Sequence, residues 1–237
     1  MNSWYEAFQN PQIRTITPSA AGGRSLERPS RGLVTDSIDS AVVEAARTLI
    51  ITEGVNRLTM VSVARKAKIS RPTLYARYAN RLELTREVLN REMVSILDVA
   101  FPPPNNVEDL VRTTVTVGRL ISDNELLRAL IENDPAILIT YQYERLGKSQ
   151  ITMIRFLRNI IQRIQQRDQN RKANGQPGPY INPGDPQVMA TFVLATVQGV
   201  SLQSRILSMM LNRNDGWQEE LSKILKGYLV QCPPPTP

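Results

Sequence analysis

Hydrophobic residues recur at the spacing of an α-helix along most of this chain. The first clear stripe falls at i, i+4, i+7 and i+11 and is formed by Ile38, Val42, Ala45 and Leu49. Similar stripes follow as far as residue 230, and no stretch alternates apolar and polar residues as a half-buried strand would. The pattern therefore predicts an all-α protein.

Two short helices joined by a tight turn are predicted within residues 58–81. Thr59 is placed to cap the first helix, because its hydroxyl can accept a hydrogen bond from a backbone N–H two or three residues later. Ser70 is placed to cap the second, and Pro72 lies in that helix's first turn, where a missing N–H costs nothing. Ala64 is small where two steeply crossing helices need to approach closely. This pattern is typical of a helix-turn-helix, whose second helix enters the major groove of DNA.

The charge of this stretch has one sign. Between Arg57 and Leu82 the chain holds seven basic residues and no acidic one. Solvated helix faces usually mix signs, because opposite charges at i and i+4 stabilise the helix. A face of one sign suits a polyanion, and neutralising phosphates supplies most of the non-specific affinity for DNA. The plainer alternative is a basic helical hairpin, but caps, small residues and charge coincide here and favour DNA binding.

Residues from about 41 to 89 resemble the DNA-binding domain of the TetR (tetracycline repressor) family. The positions that carry the resemblance are Ala45-Ala46, Glu53-Gly54, Thr59, Val63-Ala64, Ile69, Thr73-Leu74-Tyr75 and Arg81. At two places the sequence departs from the family pattern. Lys68 lies in the turn where the family often has glycine. If its backbone is left-handed, the conformation costs about 1 kcal/mol. Tyr78-Ala79 replaces a common phenylalanine.

A set of DNA-contacting residues follows from the exposed start of the second helix and from the resemblance. Arg71 could reach O6 and N7 of guanine, while the resemblance implies that Thr59, Tyr75 and Arg81 hold phosphates. The complete predicted set is Thr59, Arg65, Lys68, Ser70, Arg71, Pro72, Thr73, Tyr75, Arg77 and Arg81. The expected partner is double-stranded DNA with a pseudo-palindromic operator, because one helix-turn-helix makes too few base contacts for a specific site.

Four regions are expected along the chain. Residues 1–33 read as a disordered basic arm, in which proline and glycine break any periodicity and four arginines occur. Whether this arm reaches DNA or is idle stays open. The helix-turn-helix domain is expected at 34–85, a helical effector-binding and dimerisation domain at 86–231, and a disordered tail at 232–237. A helix from near Asn80 to Phe101 is long enough to link the two domains.

The last two predicted helices suggest a dimer interface. No charged residue occurs from Pro186 to Ser204, so the helix expected from Pro186 to about Leu211 must be covered on more than one side. The helix after it, from about residue 217 to 230, is amphipathic. Two such helices and their symmetry mates make a four-helix interface in a homodimer. The expected contact residues are Val193, Val197, Val200, Trp217, Leu221, Ile224, Leu225 and Tyr228.

The resemblance further implies a small-molecule effector. In the TetR family the C-terminal helices enclose a ligand cavity, and the effector moves the fourth helix and spreads the two recognition helices. The aromatic residues expected in the cavity wall are Tyr141, Tyr143, Phe156 and Phe192, although ordinary core packing is the favoured role of each. The sequence thus favours a DNA-binding transcriptional regulator, a repressor released by an effector. The alternative is an architectural DNA-binding protein without an effector, which would lack a cavity.

Composition narrows the remaining function classes. The 237 residues carry a formal charge of +7, of which residues 1–91 contribute +6, since they hold fourteen Lys or Arg and eight Asp or Glu. The absence of histidine excludes Ser-His-Asp and Cys-His nucleophiles and the usual histidine-rich zinc sites. The single cysteine, Cys232, and the lack of an apolar run long enough for a membrane predict a cytoplasmic protein that has no membrane association.

An enzyme is the least favoured class. The acidic residues considered for catalysis are Glu125, Glu132, Asp134 and Glu144, and they form no recognised motif. The first three are expected at exposed ends of short helices. We therefore predict no catalytic residue, no cofactor and no metal.

Overall fold

The structure is a computed structural model that describes residues 35–100, 102–139 and 148–231. Within these ranges the regular structure consists of α-helices, short 3-10 turns and one isolated β-bridge between Ile181 and Val230. The predicted all-α class is therefore confirmed. The predicted arm 1–33 and tail 232–237 lie outside the described residues, as do Tyr141, Tyr143 and Glu144.

The chain forms two compact units, which are described separately. The first unit comprises Met1–Ser95 with Ala129–Lys148, and the second comprises Ile96–Arg128 with Ser149–Pro237. The predicted domain boundary at 85/86 falls inside a helix, Arg81–Leu97, whose hydrogen-bonded backbone continues past that point. A second helix, Glu125–Asn133, likewise contains residues of both units.

The first unit is built from short helices around an aliphatic core. Its described helices are α1 (Thr35–Glu53), α2 (Met60–Lys66), α3 (Arg71–Tyr75), most of α4 (Arg81–Leu97), the end of α6 (Glu125–Asn133) and α7 (Pro135–Ile139). The apolar stripe predicted for the first helix faces inward, with Val42, Ala45 and Leu49 all buried. They share the interior with Ile50, Leu58, Leu74, Leu84 and Leu89. Burying such side chains stabilises the fold by about 1.5–3 kcal/mol each.

Gly54 ends α1 and redirects the chain toward α2. Its N–H donates to the carbonyl of Ile50 at 3.0 Å, and its backbone has φ 81° and ψ 161°. Residues with a side chain are essentially absent from this region of backbone space. The predicted helix end at Gly54 is therefore confirmed, and the chain continues into the 3-10 turn Val55–Arg57.

The second unit has α5 at its centre. Its helices are α5 (Val107–Asp123), α8 (Lys148–Ala173), α9 (Pro186–Leu202), α10 (Ser204–Leu211) and α11 (Gly216–Leu229), and the start of α6 also belongs to it. α5 packs against α9 and α11. At Gly118 of α5 a Cβ atom would lie 2.9 Å from Ser201 Oγ, so glycine is what allows this approach. The core includes Leu110, Ile161, Ile164 and Val193.

The single helix predicted from Pro186 to Leu211 is divided in the structure. Gln203 has φ −97° and ψ 2°, and it separates α9 from α10. Neither proline nor glycine marks this break in the sequence. The loop before α9 is tied to α8, because the carboxylate of Asp168 accepts the Ile181 N–H at 2.7 Å and Gln165 donates to the carbonyls of Asn182 and Gly184 at 2.8 Å.

Candidate nucleic-acid interface and ligand cavity

The start of α2 is fixed by a capping box. The Thr59 hydroxyl accepts the Ser62 N–H at 3.0 Å, and the Ser62 hydroxyl accepts the Thr59 N–H at 3.2 Å. Two backbone donors that a helix start leaves unpaired are thereby satisfied. The predicted cap at Thr59 is confirmed, and the residue remains exposed.

The turn between α2 and α3 depends on a left-handed residue. Lys68 has φ 55°, its N–H donates to Arg65 O at 3.2 Å, and the Ile69 N–H donates to Ala64 O at 3.0 Å. These two bonds form a Schellman motif, in which the left-handed position is usually glycine. The strain anticipated for Lys68 from the sequence is therefore present, and it places the lysine side chain at the exposed tip of the turn.

α3 presents its first turn to solvent. The Ser70 hydroxyl accepts the Thr73 N–H at 3.2 Å and lies 2.7 Å from the Thr73 hydroxyl, so the predicted cap is confirmed. Leu74 is fully buried, which orients Arg71, Pro72 and Tyr75 outward; Tyr75 is 51% exposed. The local sequence therefore specifies a short helix with one buried face and one exposed, polar face.

Three cations on this face have no acidic neighbour. Arg65, Lys68 and Arg71 are exposed and form no salt bridge with any described residue. Unpaired side chains of one sign produce a positive potential that attracts a polyanion. These three residues, which we call the basic face, carry the electrostatic part of the predicted DNA contact.

Arg77 was predicted to join this set, but the structure gives it another role. Its guanidinium lies 2.8 Å from the carboxylate of Asp39 on α1, and it also donates to Thr73 O at 3.4 Å. Because both partners of the ion pair are about three-quarters buried, the charge of Arg77 is neutralised within the protein. Arg77 thus joins α1 to α3, and its DNA contact stays a prediction.

Arg81 lies at the first residue of α4 and remains exposed. One of its guanidinium nitrogens, Nη1, donates to the carbonyls of Asn56 at 3.0 Å and Val55 at 3.3 Å. These contacts hold the turn Val55–Arg57 and leave other guanidinium donors of Arg81 for a phosphate. The phosphate contact stays a prediction.

Asp134 is the residue of this unit that the sequence interpretation missed. It was expected at an exposed helix end, yet it is only 6% exposed. One carboxylate oxygen accepts the Val55 N–H at 2.7 Å and the other accepts the side-chain amide of Asn56. In the sequence, an acidic residue directly before a proline usually indicates a helix cap. The role of Asp134 in holding the turn becomes visible only through its contact with Val55, which lies 79 residues away in the chain.

The second unit contains an apolar cavity of about 70 Å³. Its wall is formed by Leu97, Ala100, Pro104, Leu110, Thr113, Thr114, Val117, Met153, Phe156, Leu157, Ile160, Val193, Leu194 and Val197. No charged side chain lies in this wall, and the Thr114 hydroxyl donates to Leu110 O at 2.6 Å. The cavity therefore favours uncharged, mainly apolar molecules.

One predicted cavity residue lies in the wall and another does not. Phe156 lines the cavity. Phe192 is 60% exposed on α9, with its ring centroid 6.4 Å from that of Tyr228. The prediction for Phe192 was wrong because an apolar helix offers no polar face from which its orientation can be deduced.

Most residues predicted for the dimer interface lie instead in the chain's own core. Five of them are buried within one copy of the chain: Val193, Val197, Trp217, Leu221 and Leu225. Side chains without accessible surface cannot form a contact between copies, so their assignment is corrected. Val200 is partly buried, and Ile224 and Tyr228 are exposed at 51% and 38%.

The described residues offer neither a metal-ion cluster nor a membrane-spanning helix. They contain no cluster of His, Cys, Asp or Glu side chains that could hold a metal ion. No helix among them is long and apolar enough to span a membrane.

Comparison with known proteins finds a family match within the first unit. The family described as "Bacterial regulatory proteins, tetR family" matches residues 42–88. An uncharacterized HTH-type transcriptional regulator of Mycobacterium bovis is 27% identical over 188 residues, which cover 79% of this chain and 92% of that protein.

Solved structures show the same fold over most of the chain. SmeT, the repressor of the Stenotrophomonas maltophilia multidrug efflux pump SmeDEF, is 19% identical with a TM-score of 0.53, and the match covers 85% of this chain and 100% of SmeT. A SmeT–triclosan complex gives 18% identity, the same coverage and a TM-score of 0.55. These likenesses establish the fold alone, whereas the sequence matches are to regulators and not to enzymes. Residues 42–88 therefore match the tetR family of bacterial regulatory proteins, and most of the chain is similar in sequence to an HTH-type transcriptional regulator.

Proposed function

We propose that this protein is a TetR-like repressor that binds a pseudo-palindromic DNA operator as a homodimer and leaves it when a small molecule enters the second-unit cavity. Repression and ligand binding are supported by SmeT, which is a repressor and forms a complex with triclosan. The basic face of Arg65, Lys68 and Arg71 carries the DNA-binding part of the proposal. We expect the protein to act in the cytoplasm.

An exposed apolar surface on α9, α10 and α11 supports the homodimer. Its members are Val188, Phe192, Ile206, Met209, Met210, Leu211, Ile224 and Tyr228, and Met209 and Met210 are 75% and 79% exposed. A large exposed apolar surface marks an interaction site, and two of its members are neighbours across helices, since the ring centroids of Phe192 on α9 and Tyr228 on α11 are 6.4 Å apart. Ile224 and Tyr228 are the two members that the sequence predicted.

Two glycines on the same helices support a close approach by a second copy. A Cβ atom at Gly199 of α9 or Gly227 of α11 would have no heavy atom within 4 Å. Glycine inside a helix costs about 1 kcal/mol relative to alanine, and nothing within one chain requires it here. Gly199 follows Phe192 by seven residues and Gly227 follows Ile224 by three, and these spacings place both glycines on the helix faces that carry the apolar surface. Small residues there allow a partner helix to pack closely.

The effector is expected to be small, uncharged and mainly apolar. A cavity of about 70 Å³ is well below the roughly 300–1,000 Å³ of drug-sized pockets, so a larger ligand must displace its walls. Leu97, the last residue of α4, lies in that wall, and Arg81 at the other end of the same helix holds the turn before α2. A ligand that displaces Leu97 can therefore act on the DNA-binding helices through α4.

The DNA-binding part is tested by selecting duplexes from a random-sequence pool with the purified protein. We expect enrichment of one pseudo-palindromic sequence. Arg71→Ala should weaken binding to it by about 1–3 kcal/mol and relax its sequence preference. Arg81→Ala, which removes the predicted phosphate contact, should weaken binding to all sequences alike and lower the salt slope by about 0.9. Arg158→Ala, which removes an exposed arginine of α8 in the second unit, should change neither. Failure of the wild-type protein to enrich any duplex would overturn the proposal.

The dimer is tested by placing a charge on the apolar surface. Phe192→Glu should give monomers in sedimentation velocity, because a carboxylate would be buried in the interface without a partner. Thr191→Glu adds the same charge to the neighbouring, exposed position of α9 and should stay dimeric. Circular dichroism should show unchanged helical content for both. If Phe192→Glu sediments as the wild type does, the interface lies elsewhere.

The effector is tested by thermal shift and DNA release with uncharged apolar molecules such as benzene, indole and medium-chain alcohols. Leu194→Phe adds volume inside the cavity wall and should abolish both responses while leaving DNA binding intact. The alternative, an effector-independent DNA-binding protein, predicts that no molecule of this class shifts the unfolding temperature or releases DNA.

A further inference from the structure

The turn that leads into the DNA-binding helices is held from two sides. Residues Val55–Arg57 form one 3-10 turn, Leu58 continues in an extended conformation with its N–H donating to Val55 O at 3.1 Å, and Thr59 then caps α2. Only Leu58 separates the turn from Thr59. The position of the turn therefore sets where α2 begins.

Asp134 holds the N–H side of this turn. Its carboxylate accepts the Val55 N–H at 2.7 Å and the Asn56 side-chain amide. On the other side, Arg81 Nη1 donates hydrogen bonds to the carbonyls of the same two residues, Val55 at 3.3 Å and Asn56 at 3.0 Å. The anion thus accepts from one backbone N–H and one side-chain amide of Val55 and Asn56, and the cation donates to both of their backbone carbonyls. Hydrogen bonds to charged groups contribute more than neutral ones, and a buried N–H left unpaired is costly.

The backbone of Asp134 is itself fixed. Its N–H donates to Leu130 O at 2.9 Å at the end of α6, and its carbonyl accepts the Ile137 N–H at 3.0 Å in α7. The carboxylate therefore has a defined position that does not depend on DNA. Close packing adds to this, because a Cβ atom at Gly54 would lie 3.0 Å from Asp134 Oδ2.

We propose that Asp134 is a positioning residue for DNA binding: it fixes the turn Val55–Arg57, and with it the start of α2, although it does not touch DNA. A carboxylate in a DNA-binding unit would ordinarily repel phosphate, so its buried placement against a backbone donor indicates that it serves the protein's own geometry. This inference rests on the proposed DNA-binding function.

The first experiment compares Asp134→Ala and Asp134→Asn on the duplex that the wild-type protein selects. Asp134→Ala removes both acceptors and should weaken binding about tenfold or more. Asp134→Asn should stay nearer the wild type, because the new amide oxygen can accept the Val55 N–H while its NH₂ faces a reoriented Asn56 side chain. The plot of log affinity against log salt, from about 50 to 200 mM, should keep the wild-type slope in both, since no phosphate contact is lost.

A second experiment separates positioning from general stability. Asn56→Asp places a second carboxylate against Asp134 and should reduce affinity. Adding Asp134→Asn restores a donor–acceptor pair and should recover at least about tenfold in affinity relative to Asn56→Asp alone. Both variants carry the same extra carboxylate at position 56, so the difference reports the pairing and not the charge near DNA. This comparison also decides the matter if Asp134→Ala does not fold.

Each outcome has one meaning. Wild-type affinity for Asp134→Ala, an affinity for Asp134→Asn as low as that of Asp134→Ala, or no recovery in the double variant would overturn the positioning role. A wild-type protein that selects no duplex would instead overturn the proposed function, and the two failures are therefore distinguishable.

Discussion

The left-handed backbone of Lys68 allows strain and charge to be tested at one residue. Its φ of 55° lies where residues with a Cβ atom are disfavoured. Its side chain is exposed and forms no salt bridge with a described residue. Lys68→Gly removes both the strain and the ammonium group, whereas Lys68→Ala removes only the ammonium group. The two variants therefore differ only in the backbone term.

The magnitude follows from two opposing contributions. A left-handed residue with a side chain costs about 1–2 kcal/mol. Glycine offsets part of this gain. An unfolded chain is more flexible at glycine, so ordering it on folding costs about 0.5–1 kcal/mol more in conformational entropy. Lys68→Gly should thus be about 0.5–1 kcal/mol more stable than Lys68→Ala. For a chain of this size, that difference raises the unfolding temperature by about 1–4 °C.

Urea unfolding followed by circular dichroism measures the difference in free energy. Hydrogen exchange then assigns it to this turn, since the amides of Ala67 and Ile69 donate to Val63 and Ala64 across it and should gain protection in Lys68→Gly. For DNA binding, both variants should lower the salt slope equally, by about 0.9 if the ammonium group contacts one phosphate. Lys68→Arg keeps the charge and should keep the slope.

The result that refutes this reasoning is simple to recognise. If Lys68→Gly is no more stable than Lys68→Ala, the backbone at Lys68 carries no strain that glycine relieves. If Lys68→Gly and Lys68→Ala leave the salt slope unchanged, Lys68 is not part of the DNA contact.

Three further predictions concern the second unit, and urea unfolding measures each. Ser201→Ala should stabilise the protein by about 1 kcal/mol, because the buried Ser201 hydroxyl has no hydrogen-bond partner among the described residues; a loss of stability would contradict this. Gly118→Ala should cost about 1–3 kcal/mol through overpacking against Ser201 Oγ at 2.9 Å, and less in the Ser201→Ala background; equal costs would refute the contact. Asp168→Ala should lower the free energy of unfolding by about 3 kcal/mol, because it leaves the Ile181 N–H and Arg171 without their buried acceptor. As a control, Glu219→Ala breaks an exposed ion pair with Arg213 and should lower it by less than about 1 kcal/mol.

Local signals in the sequence were sufficient for the DNA-binding helices. Thr59, Ser70 and Gly54 each act on a backbone group within a few residues, so their residue types alone specify a cap or a helix end. The position of the basic face follows from these caps, because they fix which side of α3 holds Leu74 and therefore which side is open. The strain at Lys68 was also predictable, since a tight turn after a helix calls for a positive φ.

The orientation of the C-terminal helices could not be predicted in the same way. α9 is apolar on nearly every side, so its periodicity does not distinguish the face with Val193 and Val197 from the face with Val188 and Phe192. The two faces were therefore exchanged in the prediction. The break at Gln203 also has no local signal. For Asp134 the deciding partners lie far away in the chain, and a single sequence does not report such contacts.

Gly54 shows how narrow the range of tolerated substitutions is at the entrance to the helix-turn-helix. Its backbone region excludes side chains, and the space where a Cβ would stand is filled by Asp134. These two restrictions are independent, so removing one does not lift the other. In a saturation library, replacing Asp134 by a smaller residue should not make any other residue acceptable at Gly54. Variation in operator preference must then arise from substitutions on the exposed side of α3, because the protein does not tolerate substitution of Gly54 in the turn behind it.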